Sequence, residues 1–455
     1  MKFSKLFQWS IISALAGFLF GFDTVVISGA EKTLQSLWNS SDLFHGFVVV
    51  SMALWGTVIG AIFGAIPNDK LGRKRTLVFI GILYLISAIG SALANGPLSF
   101  SFFRFIGGLG IGVSTIAVPT YITEISPAKN RGKLVGLYQF NLVFGMLIAF
   151  LSNYYLNIFD QNSWRYMMGA EAIPAFLYLG FSFFLPFSPR WLISKGENKE
   201  AEKILNQINS TSKTKIIIKE IVDDLKNFSS NESIFLKKYR FILILAFAIA
   251  FFNQFSGINA VLYYAPRIFE ETGLGKDASL FNSIILGVTN LIFTYLGVIL
   301  IDRIGRKKLM LIGSIGYIIS LTIIALSIKS NPFGINSSMF IFSFIASHAV
   351  GQGTVIWVFI SEIFPNSLRS KGQAFGSSVH WVLAAIIPAF IPYLLNSIGS
   401  QIIFFFFAFM MSLQLLFVVF IMPETKGVSI ELLFKEVLKS KNKKIKTENN
   451  LSQRI

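Results

Sequence analysis

Twelve stretches of this chain are apolar over about 20 residues, the length a helix needs to cross the hydrocarbon of a bilayer. They run over 9–29, 44–66, 77–95, 99–122, 134–156, 166–185, 241–264, 280–301, 309–328, 339–361, 374–395 and 401–422. An open strand edge cannot be satisfied in lipid, so such stretches are helices. Barrel strands would alternate with period two over about 10 residues, which these do not. The reading is an all-α membrane protein with twelve transmembrane helices. Lys2 and Lys5 ahead of the first stretch imitate a signal peptide. No small-x-small cleavage site follows and Asp23 interrupts the run, so it reads as a retained span.

Composition agrees: 53% of residues are hydrophobic and 14% charged, against about 25% charged in a soluble domain. A mean hydropathy of +0.64 excludes a soluble fold, disorder and a coiled coil. With no cysteine, disulfides, thiol catalysis and cysteine metal sites are absent. His45, His348 and His380 are too scattered for a zinc triad, and there is no Walker A run. No constellation supports an enzyme.

Charge placement gives orientation. Of the 40 lysines and arginines, 34 fall on the side of both termini, five on the other (Lys32, Arg165, Arg267, Lys276 and Lys329), and Arg104 lies inside a span. The positive-inside rule puts both termini in the cytoplasm and accounts for the net charge of +17 without nucleic acid. The lysine-rich tail reads as a solvated end touching anionic lipid. The chain divides into a first six-helix bundle (1–187), a cytoplasmic linker (188–240), a second bundle (241–425) and a tail (426–455). GENKEAEKILNQI in the linker and SIELLFKEVLK after the last span have the apolar spacing of short amphipathic helices.

The halves repeat. Gly64, Asp69, Gly72, Arg73 and Lys74 recur 233 residues later as Gly297, Asp302, Gly305, Arg306 and Lys307. Glu124, Pro127 and Arg131 recur as Glu362, Pro365 and Arg369, 238 later, and the Pro186 region matches Pro423. Parallel repeats of six helices are the plan of the major facilitator fold, with a midplane site between halves. The repeated charges (Asp69, Arg73, Glu124, Arg131, Asp302, Arg306, Glu362 and Arg369) lie at cytoplasmic ends of spans. They read either as ion pairs that latch that side and break as the halves rock, or as positive-inside anchoring alone.

Across nearly its whole length the chain resembles the sugar porter family of the major facilitator superfamily. The resemblance rests on GFDTVVISGA (21–30), DKLGRKR (69–75), RFIGGLGIG (104–112), EISPAKNRGK (124–133), SPRWL (188–192), NQFSGINAVLYYAP (253–266), DRIGRKK (302–308), SEIFP (361–365) and PETKG (423–427), in family order. It is most similar to bacterial proton-coupled sugar symporters of the xylose type. That implies alternating-access transport of a hexose or pentose with a proton as coupling ion and no other cofactor. It further implies a monomer in a bacterial inner membrane, with lipid and a monosaccharide as its partners. A facilitator without proton coupling, a polyol carrier and a non-transporting sensor are the alternatives.

Individual residues carry the chemistry. A charge inside a span is a functional candidate by default, so Asp23 and its partner Arg104 read as the proton-coupling pair, or else as a static buried ion pair. Glu171, the other intramembrane acid, reads as structural, in the outer interface near Arg165. Amides both donate and accept, as sugar hydroxyls require. Gln139, Asn253, Gln254, Asn259 and Asn290 lie within spans, with Phe20, Tyr263, Trp357 and Trp381 as aromatic candidates. Taken singly these could be interhelical contacts. The resemblance implies that Gln139, Gln254, Asn259, Asn290, Trp357 and Trp381 hold substrate, with Gly353 letting its helix approach the ligand. The chain departs from the family pattern at Asn253, where glutamine is usual, at His380, where an amide is common, at Met146, and at Phe187, which replaces a glutamate. The first three bear on which sugar is preferred, and Phe187 removes one member of the cytoplasmic charge set.

Overall fold

The computed structural model describes residues 2–158, 162–227, 233–328, 336–365 and 368–427. Lys329 and the expected amphipathic helix after the last span lie outside them. Among the described residues every regular element is helical. Ten helices are long and apolar enough to cross a membrane, and an eleventh span, the second in the chain, is the pair Asp42–Val50 and Met52–Phe63, bent by 42°. The sixth is Ser163–Ala170 followed by Ala172–Ser182, interrupted at Glu171. The first is Lys2–Val26, the fourth Pro97–Ile125, the fifth Ala128–Leu156 and the eighth Lys276–Ile304. The ninth is Arg306–Ser327, the eleventh Arg369–Ser397 and the twelfth Ser400–Phe420.

Packing follows the repeat. In the first half the first span packs on the fifth and the second on the fourth; in the second half the seventh (Arg240–Phe255 with Ile258–Tyr263) packs on the eleventh and the eighth on the tenth (Ser337–Ile363). The halves meet where the fifth span touches the eighth and the second touches the eleventh. The large apolar side chains left exposed, such as Phe184, Ile173 and Phe420, are those a bilayer would cover.

Glycine in each D-x-x-G-R-K run has a backbone reason. Gly72 and Gly305 precede the third span (Arg73–Leu93) and the ninth at φ of 83° and 98°. Side chains with a Cβ rarely enter that region, so the turn demands glycine. The next residue can then open a helix while its guanidinium folds back onto the preceding aspartate. Between the halves, the linker forms Pro189–Ser194, Asn198–Ile208 and Thr211–Asn227. Ser188 caps the first of these by accepting from the Trp191 amide at 3.2 Å. The second is the amphipathic helix expected from GENKEAEKILNQI, burying Ala201, Ile204 and Leu205.

Candidate functional site

Polar breaks in the helices of both halves build the site. In the first half, the helix carrying Asp23 ends at Val26. Carbonyls of a last turn lack intrahelical partners and must be met from elsewhere. Asn153 Nδ2 takes the Val26 carbonyl at 3.0 Å, and Arg104 Nη2 takes the Asp23 carbonyl at 2.8 Å. Arg104 Nη1 also pairs with Asp23 Oδ1, so one guanidinium holds both the backbone and the side chain of Asp23. Both residues are buried, at 0% and 1% exposure.

Glu171 completes this group, contrary to its expected place in the outer interface. It is buried at the break of the sixth span, against the Asp23 carboxylate and in the field of Arg104. Arg165 instead donates to the Ala92 carbonyl at 2.8 Å and stacks over Trp164. Asp23 Oδ2, Glu171 Oε1 and Arg104 Nε have no hydrogen-bond partner among the described residues. Two carboxylates thus lie in the field of one guanidinium away from water. Tyr263, from the second half, is buried beside Thr24 and close to Asp23 and Arg104.

In the second half, the seventh span is Arg240–Phe255 followed by Ile258–Tyr263. Gly257 breaks it at φ 83°, and a Cβ there would lie 2.5 Å from the Phe407 ring. Amides converge across the break. Gln254 Nε2 donates to Asn253 Oδ1 at 2.9 Å, and Gln254 Oε1 accepts from Asn259 Nδ2 at 2.8 Å. Gln254 Nε2 also lies 3.2 Å from His380 Nδ1. His380 is packed edge-on between Trp357 and Trp381, at 4.9 and 4.8 Å between ring centroids. Trp381 meets Phe20 of the first half at 5.6 Å. Gly353 closes a wide turn, Ala349–Gly353, one helical turn before Trp357, and a Cβ on it would press on the His348 ring at 3.2 Å.

The remaining candidates are more dispersed. Asn290 Nδ2 contacts Met146 Sδ at 3.6 Å across the two halves, and Thr294 donates to Asn290 Oδ1 at 3.4 Å. Gln139, on the fifth span, is half-buried.

The repeated charges expected at the cytoplasmic ends assemble within each half. Arg73 pairs with Asp69 at 3.2 Å and Glu124 at 2.9 Å; Arg306 pairs with Asp302 at 3.1 Å and Glu362 at 2.7 Å. The partners in these pairs do not cross between halves. The Arg131 side chain lies outside the described ones, and Arg369 Nε is buried without a partner among the described residues. Ser188 donates to Glu124 at 2.5 Å, as Thr425 does to Glu362 at 2.6 Å. The repeat then diverges. Glu424 accepts from the amides of Arg306 and Lys307, capping the ninth span. At the matching place Phe187 has Lys74 Nζ and Arg75 Cζ over its ring at 5.2 and 5.7 Å and stacks on Trp191. The lost carboxylate is replaced by a cation–π contact.

Glu171 and Tyr263 were not legible as parts of the Asp23 group. Gly169 and Pro174 flank the break at Glu171, and Pro174 has no amide to bond the Ala170 carbonyl, but nothing in the sequence shows that the break faces Asp23. The broken second, sixth and seventh spans and this buried triad can be compared with known proteins. The profile of the family described as "Sugar (and other) transporter" matches residues 9–436. The chain belongs to that family. Among its relatives is the arabinose-proton symporter of Bacillus subtilis, 37% identical over 93% of each chain. The inward-open structure of the xylose transporter XylE from E. coli superposes with a TM-score of 0.84, at 32% identity over 96% of this chain and 100% of that one. XylE bound to 6-bromo-6-deoxy-D-glucose, a major facilitator superfamily proton:xylose symporter, gives 0.78 with the same identity and coverage. This sugar transporter family member is therefore a major facilitator fold and a multi-pass membrane protein.

Proposed function

We propose that the chain carries a monosaccharide across a bacterial inner membrane by alternating access, in symport with a proton, and works as a monomer with both termini in the cytoplasm. The observation that carries this reading is the buried Asp23–Arg104–Glu171 group beside an amide and aromatic cluster from the other half. With both carboxylates ionised, the group holds two negative charges against one positive, out of water. One added proton leaves it neutral, so the group is built to load and release one.

Sugar binding belongs to the second-half cluster. Gln254 and Asn259 offer donors and acceptors at a place where the broken helix frees them, and Trp357, Trp381 and Phe20 offer faces for C–H edges. Gln139 and Asn290 complete the reading from the facing spans. His380, held by Gln254 between two indoles, is the residue that distinguishes this site from one lined by amides. The proton is the coupling ion, and the mechanism uses no other cofactor. The better match to an inward-open structure supports a state facing the cytoplasm.

The first half of the cycle follows. Sugar and proton enter from outside, the singly protonated Asp23–Glu171 pair loosens its hold on Arg104, and the bundles rock. Both cargoes then leave inward. Counterflow in proteoliposomes, with labelled pentoses and hexoses at equal pH on both sides, tests the substrate class. Saturable exchange of a monosaccharide is expected. Exchange of none would contradict the reading.

A further inference from the structure

The cytoplasmic ion pairs stay within one half, but those on the opposite face join the two. Glu31 and Lys32 lie on Glu31–Leu37, just after the first span, and Arg267 and Glu270 lie on Ala265–Glu271, just after the seventh. Arg267 Nη1 donates to Glu31 Oε2 at 3.3 Å, and Lys32 pairs with Glu270. These four residues line an outer vestibule of about 670 Å³ shared by both halves.

The two pairs are not equivalent. The Lys32 side chain is 60% exposed, and an exposed pair of that kind contributes little. Glu31 is 1% exposed and its partner Arg267 13%. Glu31 also has a second partner in its own half. His45 Nε2, fully buried at the start of the second span, lies 3.3 Å from the same carboxylate oxygen. His45 Nδ1 lies 3.5 Å from Ser40 Oγ, so an Nε2–H tautomer can donate to Glu31 while Ser40 donates to Nδ1.

We propose that Glu31 is the keystone of an outer clasp for the transport cycle. It ties the first half to Arg267 of the second while the site faces the cytoplasm. His45 holds it when Arg267 withdraws as the site opens outward. This rests on the alternating-access reading. A buried carboxylate that simply lost its arginine would be stranded, and opening would be blocked. A histidine from its own half moves with it and keeps one hydrogen bond. The clasp therefore sets how often the outer side opens, without touching the sugar.

The absence of native cysteine makes the test direct. Spin labels at Ser36→Cys and Lys276→Cys, both exposed at the vestibule rim and on opposite halves, report outer separation by pulsed electron resonance. The full-length protein would be measured in lipid nanodiscs. Glu31→Gln and Arg267→Gln should each raise the wide population roughly five-fold or more, the scale of one coupling interaction. Exchanging the charges, Glu31→Arg with Arg267→Glu, should return the narrow form. Arg267 is partly exposed, so its variant keeps the test open if Glu31→Gln fails to fold. A wild type showing two separations and both single variants matching it would overturn the clasp alone. A wild type holding one separation with every sugar and pH tried would overturn clasp and alternating access together.

Discussion

Asp23 carries more of the proposed chemistry than any other side chain, and its neighbours explain how. Arg104 holds its backbone and one carboxylate oxygen, while the other oxygen and Glu171 Oε1 have no hydrogen-bond partner among the described residues. A carboxylate that only fixed packing would have its oxygens satisfied. Replacing Glu171 with Gln keeps the shape and removes one charge. The coupling account predicts that sugar still exchanges at equal pH while uphill accumulation falls about ten-fold or more, the loss of one 1.4 kcal/mol bias. Gln254 is the matching test for sugar. It joins Asn253, Asn259 and His380, so Gln254→Ala strands polar partners at about 1–3 kcal/mol each. KM for exchange should rise at least ten-fold. An unchanged KM would remove Gln254 from the site.

Elements decide where these residues can act. The seventh span had to break for Asn253, Gln254 and Asn259 to meet, and Gly257 permits the break. Gly257→Ala would hold an alanine in the left-handed region at about 1–2 kcal/mol, besides pressing on Phe407. Reduced thermal stability in detergent together with weakened sugar binding is expected; normal binding would separate the break from the site. At the start of the ninth span, Glu424 caps the helix. Burial alone would raise its carboxyl, but the amides of Lys426, Arg306, Lys307 and Thr425 outweigh burial and hold it below the usual 4.5. A lowered carboxyl contributes stability above that usual value and loses it as pH falls through the lowered one. Thermal scans across acid pH should show that loss in wild type and a flatter profile in Glu424→Gln. The spans themselves were legible because a bilayer sets their length, and the D-x-x-G-R-K runs because their turn demands glycine. The place of Glu171 against Asp23 and the stacking of Phe187 under Lys74 and Arg75 were not. Both depend on which helices become neighbours, and apolar periodicity does not encode that.

The whole molecule has its ion pairs arranged unequally between its faces. Those of Arg73 and Arg306 stay within one half each, while Glu31 and Arg267 bridge the two on the far side. The halves touch elsewhere mainly along the fifth with the eighth span and the second with the eleventh. Such a molecule can rock about these contacts, with Asp23 in one half and the amide cluster in the other. Proton and sugar then travel together because the same motion exposes both. Uptake into proteoliposomes, with and without an inward proton gradient, tests this most directly when wild type and Asp23→Asn are compared. The account predicts that the gradient drives wild type to accumulate a monosaccharide while Asp23→Asn only equilibrates it. If wild type, too, merely equilibrates the sugar under the gradient, the buried triad is structural and proton coupling is contradicted.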